Sequence, residues 1–234
     1  MKDVIIACDF PTKQDTLAFL RRFTGEKPFL KIGMELFYGE GPDIVREIKA
    51  LGHPVFLDLK LHDIPSTVRS AMRNLAPLHA DILNVHAAGT RAMMEAAREG
   101  LLSGGGGAAK LIAVTQLTST SPAALRDELL IGAPMNDAVP HYAKNAKAAG
   151  LDGVVCSPLE ARLVKDACGK GFVIVTPGIR YPAASVNGED QARVTTPRQA
   201  REIGADYIVV GRPITASDDP VKAYRQVQAD FVGV

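Results

Sequence analysis

The chain has 234 residues, of which 27 are basic and 26 acidic, giving a formal charge of +1. A balance so close to neutral excludes a nucleic-acid surface or an anionic-membrane anchor built on bulk positive charge, while leaving room for a small basic pocket. Apolar residues make up 47% of the sequence, enough for a large core, and the N-terminal apolar run is broken by Asp9, too short for a signal segment or a membrane span; the expected location is cytoplasmic.

Taken in order, the chain alternates short β-branched runs with amphipathic stretches. A predicted strand over 4–8 leads to a helix over 12–23, and a strand over 29–33 to a helix over 42–51. A strand over 54–60 precedes a helix over 64–78, and one over 81–86 precedes a helix over 90–100. Strands over 111–116, 153–157, 172–176 and 207–211 are followed by helices over 139–149, 159–167, 197–203 and 220–229. Eight such units imply a parallel sheet, and a length near the ~250 residues usual for the closed form favours an α/β, (β/α)8 TIM barrel over an open sheet. No composition break divides residues 1–234, so one domain is expected. No G-x-G-x-x-G follows the first strand, and Gly104–Gly107 precedes a strand instead of opening a helix, so it reads as a flexible loop on the lower face. Cys8, Cys156 and Cys168 form no C-x-x-C pair and read as reduced thiols.

Barrels of this kind carry their chemistry at the C-terminal strand ends. Asp9 ends the first predicted strand, Lys31 lies in the second, and Asp58 and Lys60 end the third. Thr118 follows the fifth strand, Arg180 the seventh and Arg212 the eighth. In Val55-Phe56-Leu57-Asp58-Leu59-Lys60-Leu61 the period of two puts Val55, Leu57, Leu59 and Leu61 on the helix-facing side. Phe56, Asp58 and Lys60 then point into the barrel. Asp58 and Lys60 could be a structural ion pair. Burying charge carries an effective penalty of several kcal/mol per ion, however, and the additional Lys31 and Asp63 nearby weigh toward a site. Thr176-Pro177-Gly178-Ile179-Arg180 and Gly211-Arg212-Pro213-Ile214 follow the last two strands, where a phosphate is often held. Gly211 would let the backbone approach an anion, and Arg212 would supply a forked, permanently charged donor. His86 reads as a hydrogen-bonded core residue, and His53, His79 and His141 as solvated. No His/Cys cluster at zinc-ligand spacing is present.

The run Asp58-Leu59-Lys60-Leu61-His62-Asp63-Ile64-Pro65-Ser66-Thr67 resembles the D-x-K-x-x-D-I-P-x-T signature of the orotidine 5'-monophosphate decarboxylase family. The likeness extends through Phe29-Leu30-Lys31-Ile32-Gly33, Val114–Ser119, Thr176–Arg180, Asp190-Gln191 and Val209–Ile214. The D-x-K-x-x-D core is shared with sugar-phosphate barrels, some of them metal-dependent lyases or decarboxylases; the H-D-I-P and T-P-G-I-R runs are more specific. The resemblance implies conversion of orotidine 5'-monophosphate to UMP and CO2 without metal or organic cofactor. Lys60, Asp58, Asp63 and Lys31 would be the catalytic array, and Asp9, Lys31, Ile64, Thr67, Thr118, Pro177, Arg180, Gln191, Gly211 and Arg212 the substrate contacts. It further implies a homodimer in which Asp63 serves the partner's site. The segment 181–189 is a few residues longer than the family pattern suggests.

Overall fold

The fold was obtained as a computed structural model and is described for residues 2–181 and 195–233. Eight parallel strands close into a barrel in sequence order: β1 (Asp3–Ala7), β2 (Phe29–Gly33), β3 (Val55–Leu61), β4 (Ile82–His86), β5 (Lys110–Val114), β6 (Gly153–Val155), β7 (Val173–Thr176) and β8 (Tyr207–Val210). Closure is direct, with Val4 of β1 paired to Ile208 of β8, so no edge is left exposed. The α/β barrel expected from the alternating pattern is the one observed.

The sheet separates two apolar layers. Inside it, Ile5, Ala7, Phe29, Phe56, Ile82, Ile112, Val175 and Val209 fill the lower barrel. Outside it, Val55, Leu57 and Leu59 join the larger layer beneath the helices, as the period-two reading of β3 requires. The outer helices are α1 (Lys13–Leu20), α2 (Met34–Glu40), α3 (Asp43–Ala50), α4 (Pro65–Leu75), α5 (Thr90–Ser103), α6 (Pro122–Asp127), α7 (Met135–Ala148), α8 (Pro158–Cys168), α9 (Pro197–Glu202), α10 (Arg212–Thr215) and α11 (Pro220–Val232). Four of them start with one device: Ser121, Ser157, Thr196 and Asp219 cap through their side chains, each followed by a proline whose missing N–H costs nothing in the first turn.

The lower rim also repeats itself. Asp81, Asp152 and Asp206 each precede an even-numbered strand and accept the backbone N–H of the strand before, from Val55 (2.7 Å), Leu111 (2.7 Å) and Ile174 (2.8 Å). Each carboxylate also takes a cation from an outer helix: Lys49 (2.6 Å), Arg98 (2.5 Å) and Lys165 (2.6 Å). These charge-assisted bonds tie strand to helix on the face away from the site.

Several expectations are corrected. Helices α2, α6 and α10 were not anticipated; at seven, six and four residues they are too short to display a helical period. Helix α7 begins at Met135, not near 139, and carries Pro140 within it. His53 is buried, not solvated, its Nδ1 3.0 Å from the carbonyl of Pro28. In the glycine run, a Cβ on Gly104 would lie 2.5 Å from the carbonyl oxygen of Arg73, so that residue serves close packing of α5 on α4. All three cysteines are free and buried. Among the described residues no helix is long and apolar enough to cross a membrane.

Candidate active site

Above the apolar floor of Phe56 and Val209, the upper barrel encloses a cavity of about 190 Å³. Its walls include Lys31, Asp58, Lys60, Gln116, Thr118, Cys156 and Pro177. Lys31 and Lys60 enter from β2 and β3 at the strand ends, where side chains converge as the barrel opens.

The charges alternate along one line. Lys31 Nζ lies 2.8 Å from Asp9 Oδ1 and 3.7 Å from Asp58 Oδ2, and Lys60 Nζ lies 2.7 Å from Asp58 Oδ1. Space for the first contact depends on Gly33, two residues beyond Lys31 on the same strand face: a Cβ there would stand 3.0 Å from Lys31 Nζ. Asp58 is only 8% exposed. Burial opposes its charge, but Lys31, Lys60 and the hydrogen bonds from Lys60 and Asn84 outweigh this and hold its carboxyl below the ordinary range. Burial likewise acts against the Lys31 ammonium, and Asp9 and Asp58 overcome it, leaving its pKa raised.

The depressed Asp58 value has a consequence for folding. Its contribution to stability is complete above the unfolded carboxylate value near 3.8 and is lost as pH falls through the lower folded value. Urea denaturation at steps from about pH 5 to pH 2 should show stability falling with acid, and the fall should be smaller in Asp58→Asn. Equal acid slopes in the two proteins would show that the lysine pairing does not stabilise the ionised form.

Lys60 itself is strained. It has φ 51°, in the left-handed region that a non-glycine residue occupies at a cost of about 1–3 kcal/mol. The β3–β4 register slips at this point, with Leu57 opposite Leu83 but Leu61 opposite Val85. The Lys60 N–H is received by Asn84 Oδ1 at 2.8 Å, and Asn84 Nδ2 donates to Asp58 Oδ1 at 2.6 Å. Asn84 was missed at the sequence level; a polar residue on the inward face of an otherwise apolar strand, between Ile82 and His86, was the available signal. His86 is half-buried at the site's edge instead of bonded within the core. Its ring centroid is 5.6 Å from that of His62, and burial, then His62 and Lys60, push its pKa down against the pull of Asp58.

The remaining predicted residues that the structure describes are not among those lining the cavity. Asp9 stands exposed at the rim, bonded to Lys31. Asp63 is exposed just past β3; its Oδ1 accepts the Ile64 N–H at 2.6 Å, and it makes no ion pair among the described residues of its own chain. With Ile64, 64% exposed, it faces an open depression of about 530 Å³ that also involves His62, Pro65 and Ala88–Thr90. Thr67 is exposed on α4. Arg180 is buried after β7, where Gly178 turns the chain at φ 78° and the Arg180 N–H bonds to the carbonyl of Thr195 at 3.1 Å. Gly211 is the N-cap of α10, and Arg212 its exposed first residue. Gln191 lies outside the described residues, as does the extra length expected after Tyr181.

Fold and site together are those of a (β/α)8-barrel enzyme, with a cavity at the C-terminal strand ends lined by Lys31, Asp58 and Lys60. A family model described as "Orotidine 5'-phosphate decarboxylase / HUMPS family" matches residues 2–227, and the chain belongs to that family. It is 56% identical to the orotidine 5'-phosphate decarboxylase of Bacillus cereus (strain Q1), covering 100% of this chain and 98% of that one. It is also 56% identical to the enzyme of the same name from Geobacillus thermodenitrificans, over 98% of this chain and 96% of the relative. The crystal structure of orotidine 5'-phosphate decarboxylase from Lactobacillus acidophilus superposes with a TM-score of 0.87 at 41% identity, covering 99% of each chain.

Proposed function

We propose that the cavity holds the pyrimidine ring of orotidine 5'-monophosphate and that the lysine–aspartate array converts it to UMP and CO2, a carboxy-lyase step of pyrimidine nucleotide biosynthesis. The observation that carries this reading is the ionised Asp58 held against the Lys60 ammonium inside a small, largely enclosed cavity. Expelling CO2 leaves a carbanion on a ring carbon that the ring cannot delocalise well. Asp58 opposes the substrate carboxylate, a repulsion of roughly 4 kcal/mol at ~4 Å and an effective dielectric near 20. It assists only as far as it is relieved when neutral CO2 departs. Lys60 stabilises the developing carbanion and donates a proton to C6. Lys31 and Asp9 bind ribose hydroxyls, and Thr118 hydrogen-bonds the pyrimidine edge, with Ile64, Thr67 and Pro177 contacting substrate around the ring and ribose.

A cavity of about 190 Å³ is smaller than the ~300–1,000 Å³ of whole-ligand sites, so ribose and phosphate extend beyond it. Barrels of this kind often hold a phosphate on the loops after strands seven and eight, and Gly211 and Arg212 follow β8 at the start of α10. Gly211 and Arg212 hold the 5'-phosphate there, joined by Arg180 and Gln191. No metal or organic cofactor takes part; the carboxylates Asp9 and Asp58 are already engaged by ammonium groups, which leaves them poor ligands for a divalent cation. Turnover in D2O should release CO2 and yield UMP carrying one deuterium at C6. Turnover giving protium at C6, or none at all, would contradict the assignment of an exchangeable ammonium as donor.

The exposed Asp63, in no ion pair among the described residues, supports a shared site in a homodimer, in which the partner's Asp63 completes the array around Lys60. Mixing inactive Lys60→Ala and Asp63→Ala chains should then raise activity, because exchange produces heterodimers with one intact site. A mixture that stays at the average of its parents, with exchange shown by mass spectrometry, would assign Asp63 to its own chain.

A further inference from the structure

We propose that Asn84 is the positioning residue of the reaction: its one amide sets both the backbone of Lys60 and the carboxylate of Asp58. The inference rests on reading Lys60 and Asp58 as the reacting pair. Between Leu57 and Leu61, β3 advances four residues while its partner β4 advances two, from Leu83 to Val85. The surplus is a bulge centred opposite Asn84, and Lys60, at φ 51°, is its left-handed member. In a regular ladder the Lys60 N–H would go to a backbone carbonyl; here it goes to Asn84 Oδ1 at 2.8 Å. The other end of the same amide donates to Asp58 Oδ1 at 2.6 Å, the oxygen that also receives Lys60 Nζ at 2.7 Å. Asn84 is 1% exposed, so neither bond is shared with bulk solvent.

The residue type follows from the two bonds. One must be accepted and the other donated, at the reach of a two-carbon side chain. Aspartate accepts but does not donate when ionised, and serine and threonine are too short to span Lys60 N and Asp58 Oδ1 together. Alanine abandons both partners. With the amide gone, the Lys60 N–H loses its acceptor at the bulge, and the Asp58 carboxylate keeps only Lys60 and Lys31 to fix its rotation. The ammonium then leaves the line along which it meets C6, and a misplacement of that kind costs about 10²-fold in rate.

The test uses the full-length protein. Asn84→Ala and the near-isosteric Asn84→Asp are compared with wild type for kcat and KM on orotidine 5'-monophosphate, UMP affinity, and melting temperature. Asn84→Ala should lose about 10²-fold in kcat while UMP affinity changes by less than threefold, since the phosphate loops are untouched. Asn84→Asp should be similarly slow at pH 7 and recover in part toward pH 5. There the two adjacent carboxyls retain a proton and the donor to Asp58 is restored. The charged groups facing that pair are Lys31 from β2, Lys60 from β3, Asp9 beyond β1, His86 from β4 and His62 after β3. Neither wild type nor Asn84→Ala should show this acid recovery. A folded Asn84→Ala with kcat within threefold of wild type would overturn the proposal and leave the decarboxylase reading standing. Loss of UMP affinity in step with kcat, or failure of both variants to fold, would overturn it by making Asn84 a requirement of the strand alone. A wild type inert toward orotidine 5'-monophosphate would sink the reading beneath it, and the proposal with it.

Discussion

Lys60→Ala should lower kcat by roughly 10²–10⁴-fold, the usual cost of losing a general acid, with UMP still bound at near wild-type affinity. On the proposed reading the ammonium meets the reacting carbon, whereas the phosphate would be held by residues that follow β7 and β8. Lys60→Arg separates the two tasks of this side chain. A guanidinium keeps the positive charge beside Asp58 but does not release a proton, so it should remain close to the alanine variant in rate. Steady-state kinetics with isothermal titration of UMP reads both quantities. Retention of more than about a tenth of wild-type activity in Lys60→Ala would remove the proton-donor role.

The second large effect is expected at Arg212. Hydrogen bonds to a charged group contribute about 1.5–3 kcal/mol, so Arg212→Ala should cut kcat/KM by roughly 10–150-fold. KM should rise, and kcat should fall with it to the extent that phosphate binding energy is realised only in the transition state. Adding a phosphate dianion should partly restore turnover of orotidine, the substrate lacking its phosphate, in the wild type and much less in the variant. Both kinetic constants within twofold of wild type would place the phosphate elsewhere.

How far these roles were legible in the sequence differs from residue to residue. The inward line of Phe56, Asp58 and Lys60 was readable because side chains alternate strictly along a strand, and the structure keeps that alternation up to Lys60. The left-handed turn at Lys60 was not readable. Lysine has no local preference for φ 51°, and the partner that receives its N–H, Asn84, lies on the neighbouring strand. His86 was misjudged for a related reason, since its surroundings are set by His62, which a turn brings over from β3. Two helix starts fell where expected, at Thr196-Pro197 and Asp219-Pro220, where a capping residue precedes proline. The same cue at Ser121-Pro122 opens α6, where no helix was expected.

The resemblance to the family supplied two expectations that local physics could not: a phosphate on the loops after the last two strands, and an Asp63 that serves a partner chain. Geometry adds the reason such a constellation can persist. The like charges Lys31 and Lys60 are interleaved with Asp9 and Asp58, so that each buried ion has an opposite neighbour within 4 Å.

The most direct measurement is the absorbance decrease on incubating the purified chain with orotidine 5'-monophosphate, with and without excess EDTA. The account predicts stoichiometric conversion to UMP at the same rate in both. A reaction abolished by chelator and restored by a divalent cation, or activity on a sugar phosphate in place of the nucleotide, would contradict it.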